Sequence, residues 1–171
     1  MIALTFDTTL NQQGLWAGHT ETTPKTVTPA EAHARLDIRI VPDQQPDEMV
    51  AAVRRHLDDH GFTDIRIDQL EGEPAWWTPP DHALIGAAAA ASKDVTGLDP
   101  NVTVSMAGTV PMSQVCAPGR VPATSLGAGR TDCNAHAPDE NIRIEDLATA
   151  TRITGRFLDR FARLDEVPPV A

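Results

Sequence analysis

Hydrophobic and polar residues alternate most strictly in AHARLDIRIV, residues 32–41. Ala32, Ala34, Leu36, Ile38 and Ile40 fall on one face; His33, Arg35, Asp37 and Arg39 fall on the other. A period of two predicts a half-buried strand of an antiparallel sheet. FTDIRIDQL (62–70) alternates in the same way and predicts a second strand, and residues 4–18 read as β-prone, broken at Asn11 and Gly14. Residues 18–29 form a polar Thr/Pro loop. Between the alternating stretches the period lengthens. Met49, Val50, Val53 and Leu57 recur at helical spacing, Pro46, Asp47 and Glu48 suit a helix start, and Gly61 suits its stop. Residues 1–70 therefore predict strands plus one helix over one face, an α+β sandwich.

EGEPAWWTPPDH (71–82) holds three prolines and two tryptophans and reads as a stiff linker. The grammar changes after it. An Ala-rich helix over 80–97 ends at Gly97, and NVTVSM (101–106) predicts a short strand. AGTVPMSQV (107–115) predicts a turn opening a short helix, and VPATSLGAG (121–129) a buried strand ending in glycines. A final helix over 144–164 carries Leu147, Ala150, Ile153, Phe157, Phe161 and Leu164 as its apolar stripe. Helix, strand, helix, strand, helix is α/β order.

Composition narrows the classes. The chain has 171 residues, 41% of them hydrophobic, enough for a core. Its net charge of −10 argues against a nucleic-acid partner, and no apolar run reaches membrane-spanning length. The first residues lack the basic region and apolar core of a signal peptide, so a cytoplasmic location is expected. Cys116 and Cys133 read as two reduced thiols. Met1 leads straight into strand-like sequence, a start in mid-sheet.

The chemistry concentrates in RTDCNAHAPDENIRIEDL (130–147), where His136 stands alone in a loop just before a helix. From residue type, it is either a plain loop histidine or one wall of a metal site. Three stretches in order carry a resemblance: TVTPAEAHARLDIRIVPDQQPDEMVAAVRRHL, MAGTVPM and SLGAGRTDCNAHAPDENIRIEDL. They resemble the C-terminal part of the zinc peptidase family M-twenty. That family takes in carnosinase-type dipeptidases, aminoacylases, glutamate carboxypeptidase, and acetylornithine and succinyl-diaminopimelate deacylases. The likeness runs from about Leu10 to Phe161, and NAHAPDE is its most specific element.

The resemblance implies an α+β lid (dimerisation) domain followed by an α/β segment completing a catalytic domain. The expected bounds are 1–72 for the partial lid, 73–80 for a linker, 81–164 for the C-terminal part of the catalytic domain and 165–171 for a tail. It implies that His136 ligates zinc, with cobalt or manganese as alternatives, and that Asp132 and Glu140 support that loop. Gly108 and Thr109 would contact substrate, a small peptide or N-acyl amino acid; Arg130, beside GAG (127–129), is read from its position as a further candidate, for a substrate carboxylate. Ala107 stands where the family more often has Gly, and Ser105 where carnosinase-like members carry an Arg. No stretch matches the family's other metal ligands, its catalytic base or its lid histidine, so no catalytic residue is assigned. In a complete enzyme, metal-activated water would attack the amide. The chain alone is expected to be an inactive fragment that does not retain zinc, partnered by the missing N-terminal half or by a second copy. The alternative is a non-catalytic dimerisation module derived from such an enzyme.

Other residues read as ordinary surface. His56 and His60, four apart on a helix, have the spacing of a metal pair, but they share a polar face with Arg54, Arg55, Asp58 and Asp59 and read as solvated surface; His82 suits a capping region; Trp76 and Trp77 suit a packed hinge; Arg39 suits a sheet surface.

Overall fold

A computed structural model describes residues 6–106, 108 and 110–170. The chain divides into two compact units. One runs up to Ala75 and takes in Ser105–Val110; the other comprises Trp76–Val104 and Pro111–Ala171.

The first unit holds a hairpin, β1 (Thr9–Ala17) and β2 (Ala32–Arg39), paired antiparallel from Thr9↔Arg39 to Ala17↔Ala32. The register breaks between Gln12 and Gly14, leaving Gln13 as the extra residue of a bulge at the break expected from Gly14. Trp16 lies opposite His33 and stacks on it, with centroids 5.3 Å apart. Helix α1 (Pro46–Asp59) begins with Pro46 in its first turn and Asp47 and Glu48 near its positive end. It closes in a Schellman motif: Phe62 N–H donates to Leu57 O at 2.9 Å and Gly61 N–H to Asp58 O at 3.0 Å, with Gly61 at φ +82. The left-handed conformation is why glycine stops the helix there. Arg54 anchors the exit. Its Nη2 donates to Phe62 O and to Asp58 Oδ1, both at 2.7 Å, and its Nη1 donates to Ile65 O.

The second unit is built on α2 (Ala83–Thr96) and α4 (Ile144–Phe161), which pack together. Leu84, Ala87, Ala88 and Ala91 are buried on α2, and Ile153 on α4. The 3–4 residue spacing puts the alanines on one face, and methyl-sized side chains let the second helix come close. His82 caps α2: its Nδ1 accepts from Leu84 N–H at 3.1 Å, so Nε2 carries the proton and donates to Pro168 O at 2.8 Å. Gly97 ends α2 in the left-handed region. Short helix α3 (Met112–Cys116) buries Ser113 and Cys116. The chain's last residues dock here too. Val170 is buried, its N–H donates to Arg120 O at 2.9 Å, and Arg120 Nε donates to Val170 O at 2.6 Å.

Three expected strands are not strands. Residues 62–70, 101–106 and 121–129 form no ladder among the described residues. An alternating pattern states which face wants burial, but a strand exists only once a neighbour takes its N–H and C=O groups. In the second unit some of those groups go elsewhere. Trp76 Nε1–H donates to Val121 O at 3.2 Å, Trp77 Nε1–H to Val104 O at 3.0 Å, and Ala123 N–H to Thr78 Oγ1 at 2.9 Å. The β2 alternation is also not expressed as burial, since Leu36 is 43% exposed. On α4, Leu147 and Phe161 of the expected stripe are exposed and only Ile153 is buried. The accessible surface is 12975 Å². Even two separate bodies, each half of the 18.4 kDa chain, would expose only about 9,900 Å² in total.

Candidate functional site

The loop that carries His136 is a lasso with a clamped neck. Asn141 N–H donates to Cys133 O at 2.9 Å and closes it; Cys133 N–H donates to Arg130 O at 3.3 Å; Ala137 N–H donates to Asn134 O at 2.9 Å across the tip. Three non-glycine residues take left-handed backbone: Asn134 (φ +54), His136 (φ +63) and Asp139 (φ +62). Asn, Asp and His are the types that tolerate this region best, which is why the loop can turn so often without glycine. A histidine held there costs about 1–3 kcal/mol, a strain that the surrounding hydrogen bonds must offset. The His136 side chain is exposed at the tip, and no hydrogen bond to the described residues restrains its ring.

Arg130 is the clamp. Its Nη1 donates to Asp132 Oδ1 at 2.6 Å and Oδ2 at 2.8 Å, and its Nη2 lies 3.4 Å from Asn141 Oδ1. Its Nε lies 3.0 Å from Asp146 Oδ2 in the first turn of α4. Neither of those two atoms makes an aligned hydrogen bond, so that contact is a charge pair rather than a directed bond. One guanidinium thus joins the start of the lasso, its closing residue and the helix that follows. Arg143 adds a longer contact to Asp132 at 4.0 Å.

Of the residues singled out in sequence, Arg130, Asp132, Glu140 and His136 share this loop; Glu140 is exposed, and Asp132 is held by Arg130 rather than by His136. Gly108 is exposed, and a Cβ added there would meet the Met106 side chain at an ordinary 3.7 Å. Ala107 and Thr109 lie outside the described residues. The sequence reading did not single out Asn141 or Asp146. Their signal was faint: an amide and an acid flanking an apolar alternation, whose partner is set only when the loop closes.

Residues 130–147 carry five acids against two arginines, a surround that favours cations. Even so, no group of three or more His, Cys, Asp or Glu that could hold a metal is found among the described residues. His136 is one well-presented imidazole, and a zinc centre needs about three or four protein ligands. The donor set of these residues alone therefore does not fit the metal centre that the resemblance implies.

Residues 3–160 match the family model described as peptidase family M20/M25/M40. The chain is 26% identical to the Cys-Gly metallodipeptidase of Saccharomyces cerevisiae over 83% of its own length and 31% of the relative's. It is 30% identical to a succinyl-diaminopimelate desuccinylase of Thioalkalivibrio sulfidiphilus, over 83% of this chain and 36% of that one. Among solved structures, it is similar to an M20 family metallo-carboxypeptidase from Sulfolobus solfataricus. The TM-score is 0.81 at 32% identity, covering 95% of this chain and 38% of that one. The chain thus spans about a third of the length of the relatives it matches.

Proposed function

This chain belongs to peptidase family M20/M25/M40, and from that premise we propose that it forms one wall of a metallopeptidase or N-acyl amino acid deacylase active site. In this reading His136 is the chain's single metal ligand, presented at the tip of the lasso over 133–141. Arg130, Asp132, Asn141 and Asp146 hold the lasso in shape. Glu140 supports the loop, and Gly108 and Thr109 belong to the substrate wall. The 1–72 stretch, with its hairpin and α1, acts as part of a lid domain, and 81–164 as part of the catalytic domain. The remaining ligands and the base come from polypeptide bearing the rest of the family's fold. The substrate class is a dipeptide or an acylated amino acid, as the names of the relatives indicate.

One observation carries this reading: an exposed, unengaged imidazole stands on a loop of clamped backbone rich in acids, with no companion ligands gathered around it among the described residues. The exposed apolar side chains support it as well. Ile144, beside the same loop, is 84% exposed, and Leu10, Leu15 and Leu36 lie open on the hairpin. Surfaces of this kind are ordinarily covered.

The test has two arms. Purified alone, the 171-residue chain is expected to turn over no member of a panel of dipeptides and N-acyl amino acids with zinc, manganese or cobalt supplied. Mixed or co-expressed with polypeptide carrying the rest of the fold, it should gain activity that His136→Ala abolishes. Turnover by the isolated chain that is lost on His136→Ala would overturn the one-wall reading.

A further inference from the structure

The C-terminal end of α1 carries a second arrangement of imidazoles, and it uses no residue of the 130–147 loop. His56 and His60 are four apart on the helix and lie on its exposed side, with ring centroids 4.3 Å apart and planes inclined by 37°. The ring of His60 is not free to choose its tautomer. Its Nδ1 lies 2.7 Å from His56 O, a carbonyl that can only accept, so Nδ1 carries a proton and the lone pair of the neutral ring is on Nε2. Fixing one ring nitrogen on a backbone carbonyl, with the other left to ligate, is how metal-binding histidines are commonly prepared.

Position adds to this. The pair sits in the last turn and at the C-cap, where the helix dipole favours positive charge. The Schellman closure through Gly61 and the three bonds of Arg54 hold that helix end in place. Asp58 is already paired with Arg54, so the site offers two imidazoles and leaves the other positions to water. Two nitrogens bound about 2.0–2.1 Å from one ion lie roughly 3 Å apart, a span that rings 4.3 Å apart reach by small rotations. Without a carboxylate in the set, hard cations such as magnesium and calcium are poorly served, whereas nickel, copper and zinc suit imidazole.

We infer that His56 and His60 form a two-histidine chelate for a borderline divalent cation, with copper(II) bound more tightly than nickel(II) or zinc(II). The site staples the last turn of α1, since both ligands belong to one helix turn.

Nickel(II) is the probe of choice, because copper(II) would also oxidise Cys133 or Cys116. Calorimetric titration of the full chain should give one nickel ion per chain. His56→Gln and His60→Gln, each keeping a good helix former, should each weaken it more than tenfold, whereas His136→Gln should leave it unchanged. Nickel should also slow amide exchange in the last turn of α1 in the native protein and in neither glutamine variant. No nickel uptake, uptake unchanged in both glutamine variants, or uptake lost instead in His136→Gln would each overturn the assignment.

Discussion

The α2–α4 pair and the β1–β2 hairpin are about equally well patterned in sequence, but they fare differently in the structure. The helix pair buries Leu84, Ala87, Ala88, Ala91 and Ile153, whereas no residue of the hairpin is buried. The difference lies in what each element needs. A helix satisfies its own backbone and requires only one apolar face to be met, and the alanine face of α2 meets α4. A hairpin satisfies half its backbone groups and leaves two edges and two faces to be covered by something else. Units that complete themselves can be recognised by their burial, and units that are completed by others by their exposure.

The comparison breaks first if a buried charge is tolerated in the helix pair. Ala91 is 0% exposed. Ala91→Asp should cost about 3 kcal/mol or more, since an unpaired carboxylate would be forced against apolar surface. Ala34→Asp, at an exposed position on β2, should stay within about 0.5 kcal/mol. Urea unfolding followed by far-UV circular dichroism measures both, and equal costs would sink the distinction. A milder version deletes volume. Ile153→Ala should cost about 2–4 kcal/mol, and Leu36→Ala, starting from a side chain 43% exposed, well under half of that.

What was legible in the sequence follows the same division. The α1 and α2 boundaries could be read because their caps are local: Pro46 and Gly61 for α1, Gly97 for α2. β1 and β2 could be read because they pair with each other. Residues 62–70, 101–106 and 121–129 carry equally good patterns and are not strands, because pattern does not supply a neighbour. In the loop, His136 stood out by its motif, whereas the part played by Arg130 did not. Its partners Asn141 and Asp146 lie 11 and 16 positions away, and no local rule joins them.

Acid should separate the regions less sharply. Asp94 on α2 is held below the usual carboxylate range chiefly by the hydrogen bond from Arg156, then by that from Arg160; Asp159 is lowered chiefly by Arg163. A lowered folded-state pKa means that folding favours the ionised form. The contribution is therefore present above the ordinary value of 3.8 and is lost as pH falls through the lowered folded values. Amide protection in α2 and α4, taken relative to the intrinsic exchange rate at each pH, should stay constant from neutral pH down to the ordinary carboxylate range, and local opening should increase only below it. Asp94→Asn should lower stability above that range and flatten the acid dependence. An acid response unchanged by Asp94→Asn would show that the contacts of Arg156 and Arg160 with Asp94 across the helix pair are idle.

The smallest effect tests the comparison at closest range, because both units contain the same local motif. Arg66 pairs with Asp68 and Arg130 pairs with Asp132, each an arginine two residues before its acid, with contacts of 2.8 and 2.6 Å. The surroundings differ. Arg66 is 83% exposed and among the described residues bonds only that acid, whereas Arg130 is 21% exposed and also reaches Asn141 and Asp146. An exposed pair contributes about 0–1 kcal/mol, much of it lost to side-chain entropy and solvent screening. Arg66→Ala should therefore be silent in both stability and exchange. Arg130→Ala should cost no more than about 1 kcal/mol globally, because its partners are partly solvated. Its effect should instead be local, with faster exchange at the amides of Ala137 and Asn141, the two bonds that shape the lasso around His136. Arg130→Lys should recover little of that protection, since a single ammonium cannot serve Asp132 with two bonds and also reach Asn141 and Asp146. If Arg130→Ala leaves both amides as protected as in the parent chain, the lasso is held by its backbone alone, and the guanidinium is as idle as that of Arg66.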